Sequence, residues 1–318
     1  MSRDFLLRRT DQLSLSERRQ FLELFARVFP RMMSLAEFER KYLCTPLGYS
    51  HHGLMLGDGC LAGAYNLVPY SYRHFGELRL FGLSVDAMVA PEHRGGPFNL
   101  LTMAQLACEG AMRDEIGFVF GFPNAQAYQF TTRVLQWRSM GELDYYALPI
   151  NIGVLRPRWR WANPGVRVGA RCLVHLPPLR RQARLDFNVE KLPDKCFERH
   201  RYDGEYQKID LCDSRCTYRT CVEKDRIHVT YIVDVTPLTR ASLAQAVRAV
   251  YEEVRSRTDM LLYVGRLPFR PPGLLRVPPS MQPRRVSMCG RVLNKRLIDE
   301  RVLDIRNWNV NMSNFDTR

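Results

Sequence analysis

The hydrophobic pattern between residues 80 and 137 predicts strands and helices in alternation, separated by a tight turn that contains two glycines. Apolar runs of strand length alternate with stretches in which apolar residues recur at helical spacing. The predicted elements are a strand at 80–89, a turn at 91–97, a helix at 98–112, a strand at 116–122 and a helix from Asn124 to about Leu135. A strand–helix–strand order of this kind predicts a parallel strand pair.

The segment before residue 80 predicts two helices and a meander of strands. Residues 14–29 carry a stripe of phenylalanine and leucine after a serine cap, and a second helix is expected at 34–42. The strands expected next lie at 52–56, 61–69 and 78–89. Consecutive hairpins pair antiparallel. We therefore expect an α/β (α+β) fold with a mixed, mostly antiparallel sheet flanked by helices, rather than a doubly wound parallel sheet.

Residues 145–184 differ in composition from the rest of the chain. They include eight arginines and no acidic residue, and the sequence Leu155-Arg-Pro-Arg-Trp-Arg-Trp161 interleaves arginine with tryptophan. Such a composition suits contact with phosphates at an anionic membrane surface, here through residues 155–184. It equally suits a connector whose apolar residues pack between two lobes, and the two interpretations are compatible. The segment marks a domain boundary in either case.

Residues 186–318 predict a second α/β lobe. Thr239 is suited to cap a long helix with a buried face of leucine, alanine and valine. The elements expected in this lobe are strands at 215–222, 226–235, 260–264 and 286–293, and a helix at 239–257.

Charge and cysteine content narrow the class of protein. The 318 residues carry a net charge of +14, supplied mostly by arginine, and nine irregularly spaced cysteines. A basic surface of this kind attracts polyanions such as CoA phosphates, nucleotide-sugars, nucleic acid or an anionic membrane. Irregular cysteines are typical of the reducing cytoplasm. No apolar run reaches the roughly 18 residues of a membrane span, and the N-terminal residues do not resemble a signal peptide. We expect a cytoplasmic protein, peripheral to the inner membrane face if the 155–184 segment binds lipid.

No metal site is expected. Three cysteines, Cys212, Cys216 and Cys221, lie near His228, but their spacing is not one of the usual zinc patterns.

The turn at 91–97 has the chemistry of an anion site. Gly95 and Gly96 precede a helix whose N-terminal N–H groups and dipole favour negative charge, and Arg94 adds a full positive charge. Two adjacent glycines before a helix are also common in ordinary turns, so the turn alone is a weak signal.

The wider sequence around this turn resembles a known family. The Val-Asp-Ala-Met-Val-Ala-Pro-Glu-His-Arg-Gly-Gly sequence of residues 85–96 is similar to the acyl-CoA pyrophosphate loop of the GNAT N-acetyltransferases. Gly-Phe-Val-Phe-Gly-Phe-Pro-Asn, at 117–124, resembles the next strand and helix cap of that family. Lys41-Tyr42 and the following Pro-Leu-Gly resemble the first segment of longer, tandem-type members associated with polysaccharide or amino-sugar pathways.

The resemblance implies an organisation and a function. It implies an acyl-CoA-binding domain at 1–150, a basic connector at 151–185 and a degenerate second GNAT-like lobe at 186–318. It further implies transfer of an acyl group, most simply acetyl, from acetyl-CoA or another acyl-CoA to an amine of a small metabolite such as an amino-sugar. The residues that the resemblance assigns to the cofactor are Met88, Val89, Arg94, Gly95, Gly96, Pro97, Phe98 and Asn124.

The sequence departs from the family pattern in two places. The turn reads as the family turn shortened by one residue, with Gly96 as the second motif glycine. In an ungapped alignment Pro97 would occupy a glycine position and would provide no N–H to a phosphate. The tyrosine that often acts as the family's proton donor is replaced by Thr132.

The catalytic candidates are therefore predicted from position. Asp86 is the first candidate for the general base, because it is a carboxylate in an otherwise apolar strand directly before the turn. Glu92 and Glu142 are weaker candidates for the same role. Tyr128, one turn into the helix that follows Asn124, is the candidate acid for the leaving thiolate, although it could equally pack in the core.

Two other functions remain open. A tandem-GNAT transferase of the Fem type would take its acyl group from aminoacyl-tRNA, which the net charge suits, but it would not need an Arg-Gly-Gly loop. We accordingly expect no nucleic-acid partner. A non-catalytic binding protein with the GNAT fold would explain the shortened loop and the absent tyrosine.

Overall fold

The chain forms two compact units. The computed structural model describes residues 3–176, 187–202, 204–223 and 226–315. Unit 1 comprises Met1–Glu142, Asn188–Tyr202 and Val286–Asn307; unit 2 comprises Leu143–Phe187, Asp203–Arg285 and Trp308–Arg318.

Helices and strands alternate along much of the described chain. The helices are α1 (Leu15–Val28), α2 (Leu35–Tyr42), α3 (Phe98–Arg113), α4 (Ala125–Arg133), α5 (Asn163–His175), α6 (Lys195–Arg201) and α7 (Arg240–Val254). The strands are β1 (Arg3–Arg9), β2 (His51–Gly57), β3 (Cys60–His74), β4 (Glu77–Val89), β5 (Phe118–Gly121), β6 (Arg138–Glu142), β7 (Asp144–Pro149), β8 (Val189–Lys191), β9 (Gln207–Asp210), β10 (Arg215–Glu223), β11 (Ile227–Thr236), β12 (Met260–Gly265), β13 (Leu275–Arg276), β14 (Ser287–Val292) and β15 (Trp308–Asn309).

Unit 1 is built on a mixed sheet with the strand order β1-β2-β3-β4-β5-β14-β6. The pairs are antiparallel except for β4 and β5, which are parallel and joined by α3. The predicted mixed, mostly antiparallel sheet flanked by helices is therefore confirmed. Strand β1 was not predicted, because its sequence Arg-Asp-Phe-Leu-Leu-Arg-Arg has only three apolar residues and no alternation of polar and apolar positions.

Helices α1 to α4 of unit 1 form where the sequence predicted them, whereas α6, which also belongs to unit 1, was not predicted. Ser14 caps α1 by accepting the Glu17 N–H, and Glu17 in turn accepts the Ser14 N–H, which is a capping box. Helix α3 lies directly on the sheet, because a Cβ at Gly53 of β2 would come within 1.8 Å of the Met103 carbonyl oxygen. Only glycine permits this approach, which fixes the position of α3 and of the turn before it.

Unit 2 contains a second sheet with the strand order β13-β7-β12-β11-β10-β9. Strands β11 and β12 are parallel and joined by α7, and the other pairs are antiparallel. The β11–α7–β12 arrangement repeats the β4–α3–β5 arrangement of unit 1. The predicted two-lobed α/β fold is confirmed.

Two strands belong to a different sheet from the one that their order in the chain suggests. Strand β7 follows β6 directly but pairs with β12 in unit 2, and β14 pairs with β5 and β6 in unit 1. The strand predicted at 286–293 is thus present, but its placement in the second lobe was wrong. The predicted ranges 1–150, 151–185 and 186–318 are contiguous, whereas the structure passes from one unit to the other several times. The functional names attached to those ranges stay predictions.

The basic segment at 151–185 is partly described. Residues 163–175 form α5, whose Ala170 and Val174 pack in the core of unit 2. Residues 177–184 of the predicted membrane segment lie outside the described residues. None of the helices in the described ranges combines the length and the apolar character that crossing a bilayer requires.

Candidate functional site

Strands β4 and β5 separate in the middle of the unit 1 sheet. Their parallel pairing runs from Phe81 and Phe118 to Leu83 and Phe120, and no further pairing between them is present in the described part of the chain. Strand β4 nevertheless continues to Val89, still paired with β3 on its other side. The last residues of β4 therefore carry backbone groups along an open edge, directly before the turn.

A bulge lies in this open part of β4. Asn66 and Ala64 of β3 pair with Val85 and Met88, so that two residues of β4 stand opposite one residue of β3. Asp86, one of the two, has a φ of +46°, a conformation that aspartate and asparagine tolerate better than most residues. The bulge reorients the backbone where β4 leaves β5.

The carboxylate of Asp86 is bound by two side chains of α2. Its Oδ2 lies 2.7 Å from the ammonium nitrogen of Lys41 and accepts a hydrogen bond of 2.5 Å from the Tyr42 hydroxyl. The Lys41 and Asp86 side chains are only 8% and 13% exposed. The predicted base is therefore a partner in a largely buried ion pair that holds the bulge against α2, and its role as a base stays a prediction.

A chain of buried polar side chains supports the bulge from inside unit 1. Asn66 donates from its amide nitrogen to the carbonyl oxygens of Asp86, at 2.9 Å, and Val85. Its side-chain oxygen must then accept from Nδ1 of His52, 2.8 Å away. Nε2 of His52 is left to accept from the Thr10 hydroxyl at 2.7 Å. The neutral tautomer with a proton on Nδ1 satisfies every member of this relay.

Sequence reasoning missed this relay. Pairing across the β2–β3 hairpin places His52 opposite Asn66, but the spacing of Thr10, which lies on another element, gives no sign that it joins them. The available signal was that His52 and Asn66 are polar residues inside apolar strands, where a buried side chain needs a partner.

The relay makes the stability of unit 1 sensitive to acid. Burial lowers the pKa of His52 from its ordinary value near 6.5 to about 4. The unfolded imidazole binds a proton near pH 6.5 but the folded one only near pH 4, so acid favours unfolding. We expect His52 to remove about 3 kcal/mol from the free energy of unfolding as the pH falls between these values.

Urea denaturation at pH 7 and at pH 4.5 checks this expectation. Burial also lowers the pKa of His51, so the comparison is between the wild type and His52→Gln, which retains one donor and one acceptor. The variant should lose less stability in acid than the wild type. Equal losses would show that His52 does not titrate in this window.

The turn after β4 presents open backbone. Arg94 is exposed and donates from Nε to the Val89 carbonyl oxygen at 3.0 Å, and Gly96 has a φ of +97°. A Cβ at Gly95 or Gly96 would meet no atom within 4 Å. Pro97, the N-cap of α3, makes no side-chain capping bond. The first N–H groups of the helix thus lack a side-chain acceptor, as an anion site requires.

The remaining predicted residues surround the turn and the opening between the strands. Met88 is buried, Val89 is half-buried and Phe98 is exposed. Asn124 uses its side-chain oxygen to cap α4 by accepting the Ala127 N–H at 2.9 Å. Asn124 thus shapes the start of α4, and a direct contact with the cofactor stays a prediction.

The other catalytic candidates differ in their surroundings. Glu92 is exposed and pairs with Arg27 at 2.5 Å, which lowers the pKa of its carboxyl group and makes it a weaker base. Tyr128 donates its hydroxyl hydrogen to Ser139 at 2.9 Å while its ring packs on the core under α3. Glu142 ends β6 and is exposed. Thr132, at the family's tyrosine position, bonds back to the Tyr128 carbonyl oxygen at 2.9 Å.

The corresponding opening in unit 2 contains a segment of the chain itself. The pairing of β11 and β12 ends at Ile232 and Tyr263, while β11 continues to Thr236. Asn311 forms a bridge with Gly265 and donates to Oδ1 of Asp234 at 2.9 Å, and the residues after it are buried. The connection from β11 to α7 also has no glycine. Of the two similar openings, the one in unit 1 is the candidate ligand site.

Comparisons with known proteins support the fold. No protein-family model and no curated protein sequence matches the chain. Three solved structures are similar to it: a conserved protein of unknown function from Enterococcus faecalis V583, described as a probable N-acyltransferase, and GCN5-related N-acetyltransferases from Anabaena variabilis ATCC 29413 and from Kribbella flavida.

The similarity extends over most of the chain. The TM-scores are 0.60, 0.58 and 0.59, and the sequence identities are 11%, 11% and 12%, respectively. The alignments cover 91%, 91% and 92% of this chain and 73%, 73% and 72% of the three others. At such identities the likeness concerns the fold. The chain therefore has the fold of the GNAT N-acetyltransferases, as its sequence predicted.

Proposed function

We propose that the protein is a CoA-dependent N-acyltransferase that transfers an acyl group, most simply acetyl, to an amine of a small metabolite. The observation that carries the proposal is the combination found in unit 1. Strands β4 and β5 separate, a bulge turns the backbone of β4, and an open glycine turn leads into a helix without a side-chain cap. The fold similarity to N-acetyltransferases supports the same activity.

The turn fits the phosphates of an acyl-CoA. Backbone N–H groups at Gly96 and the start of α3 would bind the pyrophosphate, while the Gly95 N–H donates to the His93 carbonyl oxygen at 2.9 Å. The space beside both glycines is open. Bound acyl-CoA would supply the thioester whose carbonyl carbon the amine attacks.

The chain's own residues would then orient and polarise the reacting groups. The open edge of β4 at Ala87 and Met88 would donate a backbone hydrogen bond to the carbonyl oxygen. Lys41 and Tyr42 hold this edge through Asp86. Direct attack by the amine would form the amide bond as the carbon–sulfur bond breaks, without a covalent enzyme intermediate. Tyr128 would protonate the leaving sulfur, and the proton lost by the amine would pass to a base, for which Asp86 is the candidate.

Tyr128→Phe tests that role. Removing a general acid lowers the rate of the chemical step by about 100-fold or more, so kcat should fall while KM for acetyl-CoA stays nearly constant. The matched control is Ser139→Ala, which removes only the hydrogen-bond partner of Tyr128. A Tyr128→Phe variant with unchanged kcat would show that the ring only packs.

The proposed activity is tested by release of free CoA thiol from acetyl-CoA across a panel of small amines. Amino-sugars come first in the panel because the resemblance to tandem-type members suggests them. Amine-dependent thiol release is the expected result. Binding of acetyl-CoA without release would favour a non-catalytic binding protein. Salt-sensitive tRNA binding with no CoA binding would favour an aminoacyl-tRNA-dependent transferase and overturn the proposal.

A further inference from the structure

Seven consecutive residues of unit 2, Leu155–Trp161, are all exposed. They include two tryptophans and a leucine, and Trp161 is 82% exposed. Large apolar side chains rarely lie together on the surface of a protein that has no partner there. Two of the arginines between them lie over the ring of Trp159, with Arg156 5.0 Å and Arg158 5.8 Å from its centre.

Helix α5 continues this apolar surface. Ala170 and Val174 face the core of unit 2. Gly165, Val168, Cys172 and Leu176 follow one another at helical spacing, which places them on a different face, and all four are exposed. Val168 alone is 64% exposed. The apolar stripe of α5 and residues 155–161 are together called the Arg/Trp surface.

The charged side chains that belong to the Arg/Trp surface are all positive, although Glu252 of α7 lies 3.6 Å from His175 at the end of α5. Between residues 145 and 176 the chain has five arginines and no acidic residue. Arg167 and Arg171 lie one helical turn apart beside the stripe of α5, and both are exposed. In the described part of the chain, none of the five arginines takes part in a salt bridge.

The Arg/Trp surface is anchored at its base. The Gly153 N–H donates to Oδ1 of Asn163 at 2.9 Å, and the Asn163 amide donates to Asn151. Asn151 in turn donates to Oδ1 of Asp259 at 2.9 Å. These buried and half-buried polar contacts hold the segment in a defined conformation. Its two tryptophan side chains therefore stay exposed to solvent and do not pack against the core of unit 2.

We propose that the Arg/Trp surface docks unit 2 onto an anionic lipid bilayer. Arginine binds lipid phosphates through two parallel hydrogen bonds, and tryptophan prefers the level of the headgroups. The exposed valine and leucines would enter the outer acyl region. Aliphatic side chains have no such use against nucleic acid, where arginine and stacking aromatic rings suffice. The chemistry of the whole surface therefore matches lipid.

Co-sedimentation with phosphatidylcholine vesicles, with and without phosphatidylserine, tests this docking on the full chain. We expect binding to the anionic vesicles alone. Trp161→Ala should weaken it about tenfold, because one large apolar side chain no longer enters the bilayer. Arg158→Ala should weaken vesicle binding about fivefold, because the attraction of one arginine to the anionic surface is lost.

The control variant is Met32→Ala in unit 1, since Met32 is equally exposed, at 83%. It should bind vesicles like the wild type. Trp161 lies outside the core, so its variant should keep the thermal midpoint of the wild type. Vesicle binding that is absent, or that Trp161→Ala leaves unchanged, would overturn the proposal. So would a Trp161-dependent dimer in ultracentrifugation, or binding to an oligonucleotide but not to vesicles.

Discussion

Replacing Asp86 with asparagine is expected to destabilise unit 1 by about 3 kcal/mol, because the largely buried charge of Lys41 then loses the carboxylate that lies 2.7 Å from it. Asparagine tolerates the positive φ of this position, so the bulge itself can persist. It can also still accept the hydrogen bond from Tyr42. The expected loss therefore reports on the charge and not on the backbone.

The double variant Lys41→Met with Asp86→Asn separates the ion pair from catalysis. Methionine removes the buried charge at similar length, so most of the lost stability should return. In the proposed site backbone groups bind acetyl-CoA, so restoring the bulge should also restore any acetyl-CoA affinity that Asp86→Asn alone has lost. A folded double variant that binds acetyl-CoA but transfers no acyl group would identify Asp86 as the general base. A variant that also transfers it would limit Asp86 to positioning the bulge.

Glu92→Gln provides the matched control for a carboxylate. Glu92 also pairs with an arginine, but both side chains are about half exposed, and exposed pairs contribute little. Its urea midpoint should stay at the wild-type value. A loss of stability in Glu92→Gln as large as that in Asp86→Asn would contradict the explanation that burial of the ion pair causes the Asp86 effect.

Acetyl-CoA binding is expected to fail when the turn loses its open backbone. Gly95→Ala should weaken binding by at least tenfold, since the added methyl group would occupy the space through which phosphate approaches the N–H groups. Gly95 does not have a positive φ and has no neighbour within 4 Å, so the fold should be unaffected.

Two further variants of the same turn separate the contribution of charge to acetyl-CoA binding from that of the backbone conformation. Arg94→Ala removes one contact to a charged group, worth about 1.5–3 kcal/mol, and should weaken binding about 10- to 100-fold. Gly96→Val should be worse, because a β-branched residue resists the φ of +97° and also fills the phosphate space. Calorimetric titrations with acetyl-CoA, dephospho-CoA and ATP measure all three. Unchanged acetyl-CoA affinity in folded Gly95→Ala and Arg94→Ala would show that the loop is only a turn.

The parts of the fold that local sequence determines could be predicted. Helix α1 follows from its serine cap and apolar stripe, and β4, the turn and α3 follow from apolar runs punctuated by proline and glycine. Each signal depends on residues close in sequence. The prediction of a mixed sheet needed only the order of hairpins and of one strand–helix–strand unit.

The parts that depend on long-range pairing could not be predicted. The short apolar sequence that makes β14 a strand does not specify whether it pairs with β5 or with a strand of unit 2, because local sequence does not determine the partner of a strand that is distant in the chain. The ion pair between Lys41 and Asp86 could not be predicted for the same reason, because it joins residues that are distant in sequence. A lysine near the end of a helix normally reaches solvent, and only the fold shows that this one does not.

A crystal structure with acetyl-CoA is the direct test of whether the opening between β4 and β5 binds acyl-CoA. We predict the pyrophosphate at the turn Arg94–Phe98 and the thioester beside the bulge at Asp86 and Ala87. Acetyl-CoA bound elsewhere on the chain, or an empty opening at saturating acetyl-CoA, would contradict binding at this opening.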